Sequence, residues 1–189
     1  MISPNRILAC ACLLLAAVQA QAGGSGLTVL GIPLGARFVL PPCAPSEVTV
    51  SSRLCFNAAM VDRKPWGVEQ YYVSVPAAGT PHYVRGEVTV QVVEGTVGSI
   101  TIGTWGIEGQ GPALADLKKQ YGPPARAWHE MKHRRHSRFP SEFAEWNLGD
   151  VSVKLDGTAG SIDWGRIEFT TRRYRDLIAT HEAGIHRRK

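Results

Sequence analysis

The chain has 189 residues, 44% apolar and 20% charged, with a formal net charge of +5, a size that suits one domain with a real core. Its longest apolar run, the twelve residues from Ile7 to Val18, is shorter than the roughly 20 residues a bilayer span requires. No later segment is long or apolar enough to act as a stop-transfer helix, so the composition excludes a transmembrane anchor.

The first 22 residues carry one positive charge at Arg6, the apolar run, and the small-x-small triplet Ala20-Gln21-Ala22. This pattern predicts an export signal cleaved near Ala22, leaving a single mature domain over residues 23–189 that is periplasmic or secreted. A lipoprotein signal at Cys10 fits less well, because the apolar run continues past that residue through Leu13-Leu14-Leu15. Cleavage removes Cys10 and Cys12 and leaves the pair Cys43 and Cys55. In an oxidising compartment an even pair without CxxC spacing reads as a disulfide.

Loss of Arg6 leaves 20 basic and 16 acidic residues. Residues 23–125 hold seven of each, so the whole excess lies in residues 126–189. Its densest part contains Arg126, Lys132, Arg134, Arg135 and Arg138 against Glu130, with three histidines interspersed. Such a segment reads as a solvated basic loop, with weak polyanion or acidic-protein binding as the alternative.

In chain order, strands are suggested by Arg53-Leu54-Cys55-Phe56 and by Tyr71-Tyr72-Val73-Ser74-Val75. Residues 84–104 alternate apolar and polar positions on both sides of Glu94-Gly95-Thr96, the period-2 signature of a half-buried hairpin. Next comes the clearest helix. Pro112 suits its first position, Leu114, Leu117 and Tyr121 share one face, and Gly122-Pro123-Pro124 ends it. Phe143 to Leu148 and Val151 to Leu155 read as strands joined by a Gly149-Asp150 turn, with Ile167 and Phe169 on a further strand. The tail from Tyr174 through Ile185, within residues 174–189, reads as a terminal helix.

GEVTVQVVEGTVGSITIG matches GDVSVKLDGTAGSIDWG once one residue is dropped in the first strand, with Gly95, Gly98, Ile100 and Gly103 meeting Gly157, Gly160, Ile162 and Gly165 at a spacing of 62. This predicts tandem half-repeats over about residues 27–104 and 111–169, with a bulge near Val92. The expected fold class is therefore α+β: an antiparallel sheet from a duplicated hairpin unit with one or two short packing helices. A counterpart to the helix should precede the first half, and Leu30 to Gly35 with Pro41-Pro42-Cys43 is the candidate.

The order LGIPLG, LPPC, LCF, ALADLKKQYGPPA, EWNL and GSIDWGRIEF resembles that of small exported bacterial proteins of unknown function, over most of the mature chain. The helix ending in Tyr-Gly-Pro before antiparallel strands is also similar, at the level of fold, to tandem-repeat proteins of the beta-lactamase-inhibitor type. That likeness implies a sheet face presented to a partner, with no contact residues that can be placed in this chain.

The sharpest chemical motif is His129-Glu130-Met131-Lys132-His133, an HExxH match. On a helix its histidines bind zinc from one face while Glu130 activates the bound water, with His136, Glu142 or Glu145 available as further ligands. Pro124 and Pro140 bracket that helix, but only Trp128 and Met131 offer it apolar anchorage. No GxSxG elbow, phosphate-cradling loop or helix-borne carboxylate pair accompanies it. Trp66-Gly67, Trp105-Gly106 and Trp164-Gly165 read as plugs for sheet ends or as a binding face. The residues thus favour a non-catalytic exported module that binds an unknown extracytoplasmic protein, inhibitor- or immunity-like, without a cofactor. A zinc hydrolase using HEMKH and polyanion binding through residues 126–138 are the alternatives.

Overall fold

The structure, a computed structural model, describes residues 26–47, 52–134 and 137–186. The segment read as an export signal, with Cys10 and Cys12, lies outside the described residues, as do Arg135 and His136.

The described chain begins with a small hairpin, β1 (Thr28–Val29) and β2 (Ile32–Pro33), turned by Leu30 and Gly31 at φ 48° and 82°. The main sheet follows: β3 (Cys55–Phe56), β4 (Asp62–Arg63), β5 (Val68–Ser74), β6 (Val84–Val93) and β7 (Thr96–Thr104). After the helix α1 (Gly106–Tyr121) come β8 (Arg126–Arg134), β9 (Ser137–Leu148), β10 (Val151–Ser161) and β11 (Trp164–Thr171), and then α2 (Arg172–His186). These strands form a nine-stranded sheet in the order β3-β5-β6-β7-β11-β10-β9-β8, with β4 beside β5, and every pairing is antiparallel.

The expected α+β class is corrected by this content. The described chain is 49% strand and 23% helical, a sheet-dominated fold. The difference comes mainly from residues 126–142, which form a long ribbon instead of a loop or helix.

Residues paired across an antiparallel ladder share a face, so the core face can be read from the register. Val88, Val90, Ile100, Ile102, Ile167, Phe169, Val153, Leu155, Ala144 and Trp146 lie on it, all buried. Two covers close that face. Ala113 and Leu117 of α1 pack into the same core, and Trp146 Nε1 donates to Gly122 O at 2.9 Å, tying the helix end to β9. Ile32 and Leu34, each 1% exposed, belong to the core with Val88, Val90 and Val97. Their segment is held by Gly35 N to Val97 O and Phe38 N to Gly95 O, both 2.9 Å. The residues proposed as a counterpart to α1 thus do cover the sheet, but as irregular chain with a two-residue hairpin.

Helix α1 starts six residues before Pro112, which lies inside it. The glycines of Gly106-Ile-Glu-Gly-Gln-Gly disguise this first turn and a half in sequence, since glycine is a poor helix former. Packing explains two of them. A Cβ on Gly106 would stand 2.0 Å from Ile162 O, and one on Gly109 would stand 3.3 Å from Tyr83 O.

The 62-residue repeat does not survive as structural equivalence. Gly95 sits in the two-residue turn between β6 and β7 at φ 74°, whereas Gly157 lies within β10, whose own turn falls at Ile162-Asp163. Ile100 is fully buried in β7, while its sequence match Ile162 is 37% exposed. Gly103 pairs with Arg166 and Gly165 with Thr104, so the two glycines face opposite sides of the sheet. A register irregularity does occur at Gln91/Val92, but the extra residue is Gly98 on β7.

Cys43 and Cys55 lie at bonding distance, with sulfurs 2.13 Å and Cα atoms 4.9 Å apart. The pair pins the N-terminal cover to β3, and Cys43 N also donates to Phe56 O at 2.9 Å.

Candidate functional site

The residues of the HEMKH motif and the described ones of the basic segment fall together on the β8–β9 ribbon. Its ladder runs without irregularity from Arg126↔Glu145 to Arg134↔Ser137. Because β9 pairs with β10 only over residues 143–148, the ribbon continues beyond that pairing, and the outer side of β8 pairs with no described strand. The residues of β8 do not alternate apolar with polar, so the strand has no period-2 signal, and in β9 Pro140 masks the pattern, because proline inside a run argues against a strand.

Strand geometry overturns the metal-helix expectation for HEMKH. Residues i and i+4 of a helix stand about 6 Å apart along its axis, whereas in a strand the same spacing is about 13 Å. His129 and His133 therefore share a face but lie too far apart to hold one ion, and Glu130 projects to the opposite face. His129 pairs across the ladder with Glu142, and Glu145 pairs with Arg126 and reaches Lys154 Nζ at 3.7 Å. Among the described residues no three His, Cys, Asp or Glu side chains converge.

The basic patch is likewise divided. Arg126, Trp128, Glu130 and Lys132 lie on one face with Phe143, while His129, Met131 and His133 lie on the other with Arg138. The first face carries an aromatic and cationic stack. Trp128 and Phe143 rings lie 5.0 Å apart and 6° from parallel, Arg126 sits 4.7 Å from the indole centroid, and Lys132 sits 4.8 Å from the Phe143 centroid. Trp128 Nε1 donates to Glu130 Oε1 at 2.9 Å. Lys132 Nζ also meets Asp156 Oδ1 at 3.0 Å and donates to Thr158 O at 2.7 Å, so its charge is neutralised within the fold. On the second face Met131 is 51% exposed.

The inner edge of the ribbon is sealed by a side chain. Gln110 of α1, 7% exposed, accepts from Glu142 N at 2.9 Å and donates to Pro140 O at 3.3 Å. Its carboxamide takes backbone groups of β9 just beyond Asp156↔Phe143, the last pair that β9 makes with β10. Gly157 makes room, since a Cβ there would stand 2.2 Å from Gln110 Oε1. At the far end of the sheet, β3 and β4 have two residues each, and β3 is further covered by the Pro42↔Phe56 bridge and the Cys43 tether. Short or covered edges resist strand addition. β8, with nine residues and no bulge, is the long open edge of the described sheet.

The Trp-Gly pairs separate in space. Trp105, 45% exposed, and Trp164 flank the Arg85 guanidinium at 4.9 and 5.3 Å, and Arg85 Nη1 donates to Asp163 O at 2.8 Å. Trp66 stacks instead on His181 of α2, 4.6 Å between rings. Beside Trp105, Tyr83 donates its hydroxyl to Asp116 at 2.7 Å, and burial followed by this bond pushes its ionisation far above the ordinary tyrosine value. Arg85 and Gln110 had no sequence signal, since both act through neighbours far away in the chain.

No family model, no curated protein and no solved structure matches this chain.

Proposed function

We propose that the protein is an exported, non-catalytic module that binds another extracytoplasmic protein by accepting one of its segments as an added strand along β8. The observation that carries this reading is the edge itself: nine regular residues whose outer backbone groups face no described strand, in a sheet whose other edges are sealed or cut short. Added strands gain affinity from main-chain hydrogen bonds and specificity from alternate side chains. The Arg126–Trp128–Phe143–Lys132 stack stiffens the ribbon, so less freedom is lost when a partner docks. Export is supported by the composition of residues 1–22, and an oxidising destination suits the Cys43–Cys55 pair.

A photoreactive residue replacing Met131 in the exported protein should capture one protein partner, while the same group replacing Glu182 on α2 should not. In the captured complex the amides of residues 126–134 should exchange slowly. A hydrolytic turnover lost on Glu130→Gln, with one zinc per chain, would overturn the reading in favour of an enzyme.

A further inference from the structure

We infer that the segment added to β8 is an extended acidic stretch of the partner, with carboxylates along the Trp128 face and an apolar side chain opposite Met131; this rests on strand addition as the mode of binding. The charge on the strand points there. With Lys132 held by Asp156, β8 offers Arg126 and Arg134 against Glu130 alone, and Glu130 already accepts from Trp128 Nε1. Arg126 lies over the indole at 4.7 Å, and a guanidinium held on an aromatic face still has N–H donors for a carboxylate. On the opposite face Met131 is the exposed apolar residue, flanked by His129 and His133. Strand neighbours across a ladder lie about 5 Å apart on one face, so an incoming strand alternating acidic and apolar residues meets both sets at once.

Two other occupants fit less well. A second copy of β8 paired antiparallel about Glu130 would set Arg126 against the copy's Arg134 at both ends, and like charges directly opposite are unfavourable. A nucleic acid requires its cations on one surface, but the described ribbon divides them between two faces and the Lys132 charge is held by Asp156. Phosphates would also leave the backbone groups of the edge unmatched.

The test uses the full mature chain and a nine-residue peptide with Glu at positions 1, 3, 7 and 9, Gln at 5, Val at 2, 6 and 8, and Leu at 4, which stands opposite Met131 when the peptide lies antiparallel along β8. Companion probes are the same peptide with Gln for Glu, the acidic peptide N-methylated at alternate amides, and a DNA duplex. Binding is followed by tryptophan emission and mapped by amide exchange. The acidic peptide should bind and protect residues 126–134, N-methylation should abolish binding, and Arg126→Glu should weaken it about tenfold. Lys119→Glu, on the exposed side of α1, should leave it unchanged. Equal binding of the Gln peptide, still blocked by N-methylation, would overturn the acidic partner while keeping strand addition. Duplex binding at residues 126–134 without peptide binding would overturn both, as would absence of any binding. Self-association that protects these amides without peptide would name a second copy as the occupant and overturn the inference.

Discussion

The Gln110 seal offers a sharp test of how the ribbon is held. Gln110→Ala removes the acceptor for Glu142 N and the donor for Pro140 O, at 2.9 and 3.3 Å, in a site where Gln110 is 7% exposed. Leaving a buried backbone group unpaired costs about 1–3 kcal/mol. The longer bond adds less, so a loss of about 2–3 kcal/mol is expected in urea denaturation. Gly157 couples to the same side chain. In the native protein Gly157→Ala brings a Cβ within 2.2 Å of Gln110 Oε1, 2.9 Å of Gln110 Cβ and 3.0 Å of Glu142 O. Removing the carboxamide relieves the worst of these contacts but not the other two. The double variant should therefore be more stable than the sum of the single losses implies, by at least about 1 kcal/mol, beyond the roughly 0.5 kcal/mol within which independent sites add. Amide exchange at Glu142 should accelerate in Gln110→Ala and in the double variant. Strict additivity, or unchanged exchange at Glu142, would refute the sealing role.

Thiol titration of the denatured, unreduced protein should find neither Cys43 nor Cys55 free, and their joint change to Ser should cost about 3 kcal/mol for a loop of this length while leaving the β6–β7 and β10–β11 hairpins in place. Burial pushes Tyr174 up to about 12, with the Glu168 charge adding to the effect. A group raised above its unfolded value near 10 gives stability that is complete below about pH 10 and lost as pH rises toward 12. Tyr174→Phe should reduce the drop in urea midpoint over that interval, and an identical drop would refute the assignment; Tyr83, raised in the same direction, keeps it from vanishing. His133→Ala should leave the metal content of the purified protein, measured by elemental analysis, substoichiometric and its folding unchanged, since strand spacing keeps His129 and His133 apart; one zinc per chain, lost on that change, would refute this.

Period-2 patterns were legible wherever one face meets the core and the other meets water. The β6–β7 hairpin, the Gly149-Asp150 turn and the end of α1 at Gly122 all stand where local residues place them. The failures share a cause in long-range contact. The first turns of α1 are glycine-rich because Ile162 O and Tyr83 O press against them, a demand made by residues more than 20 positions away. Similarly, the match of GTAGSIDWG to GTVGSITIG reflects glycines wanted for different reasons, a turn at Gly95 and clearance for Gln110 at Gly157. Chemical similarity of two glycines says nothing about which atoms they must avoid.

HEMKH shows the same limit at the candidate site. Its five letters fit a zinc helix and an edge strand equally well as a string, and the geometry that separates the two comes from β9. Ala144 and Trp146, buried in the core opposite Leu155 and Val153 of β10, commit β9 to the sheet, and β8 then pairs along it over its whole length. Once β8 is an edge strand, its charges take on a second meaning. Cations on an exposed edge discourage uncontrolled pairing between like chains, and those same cations favour a strand of opposite charge. The guard against self-association and the preference for an acidic partner are one electrostatic feature, so a variant that neutralises Arg126 and Arg134 should lose peptide selectivity and gain self-association together.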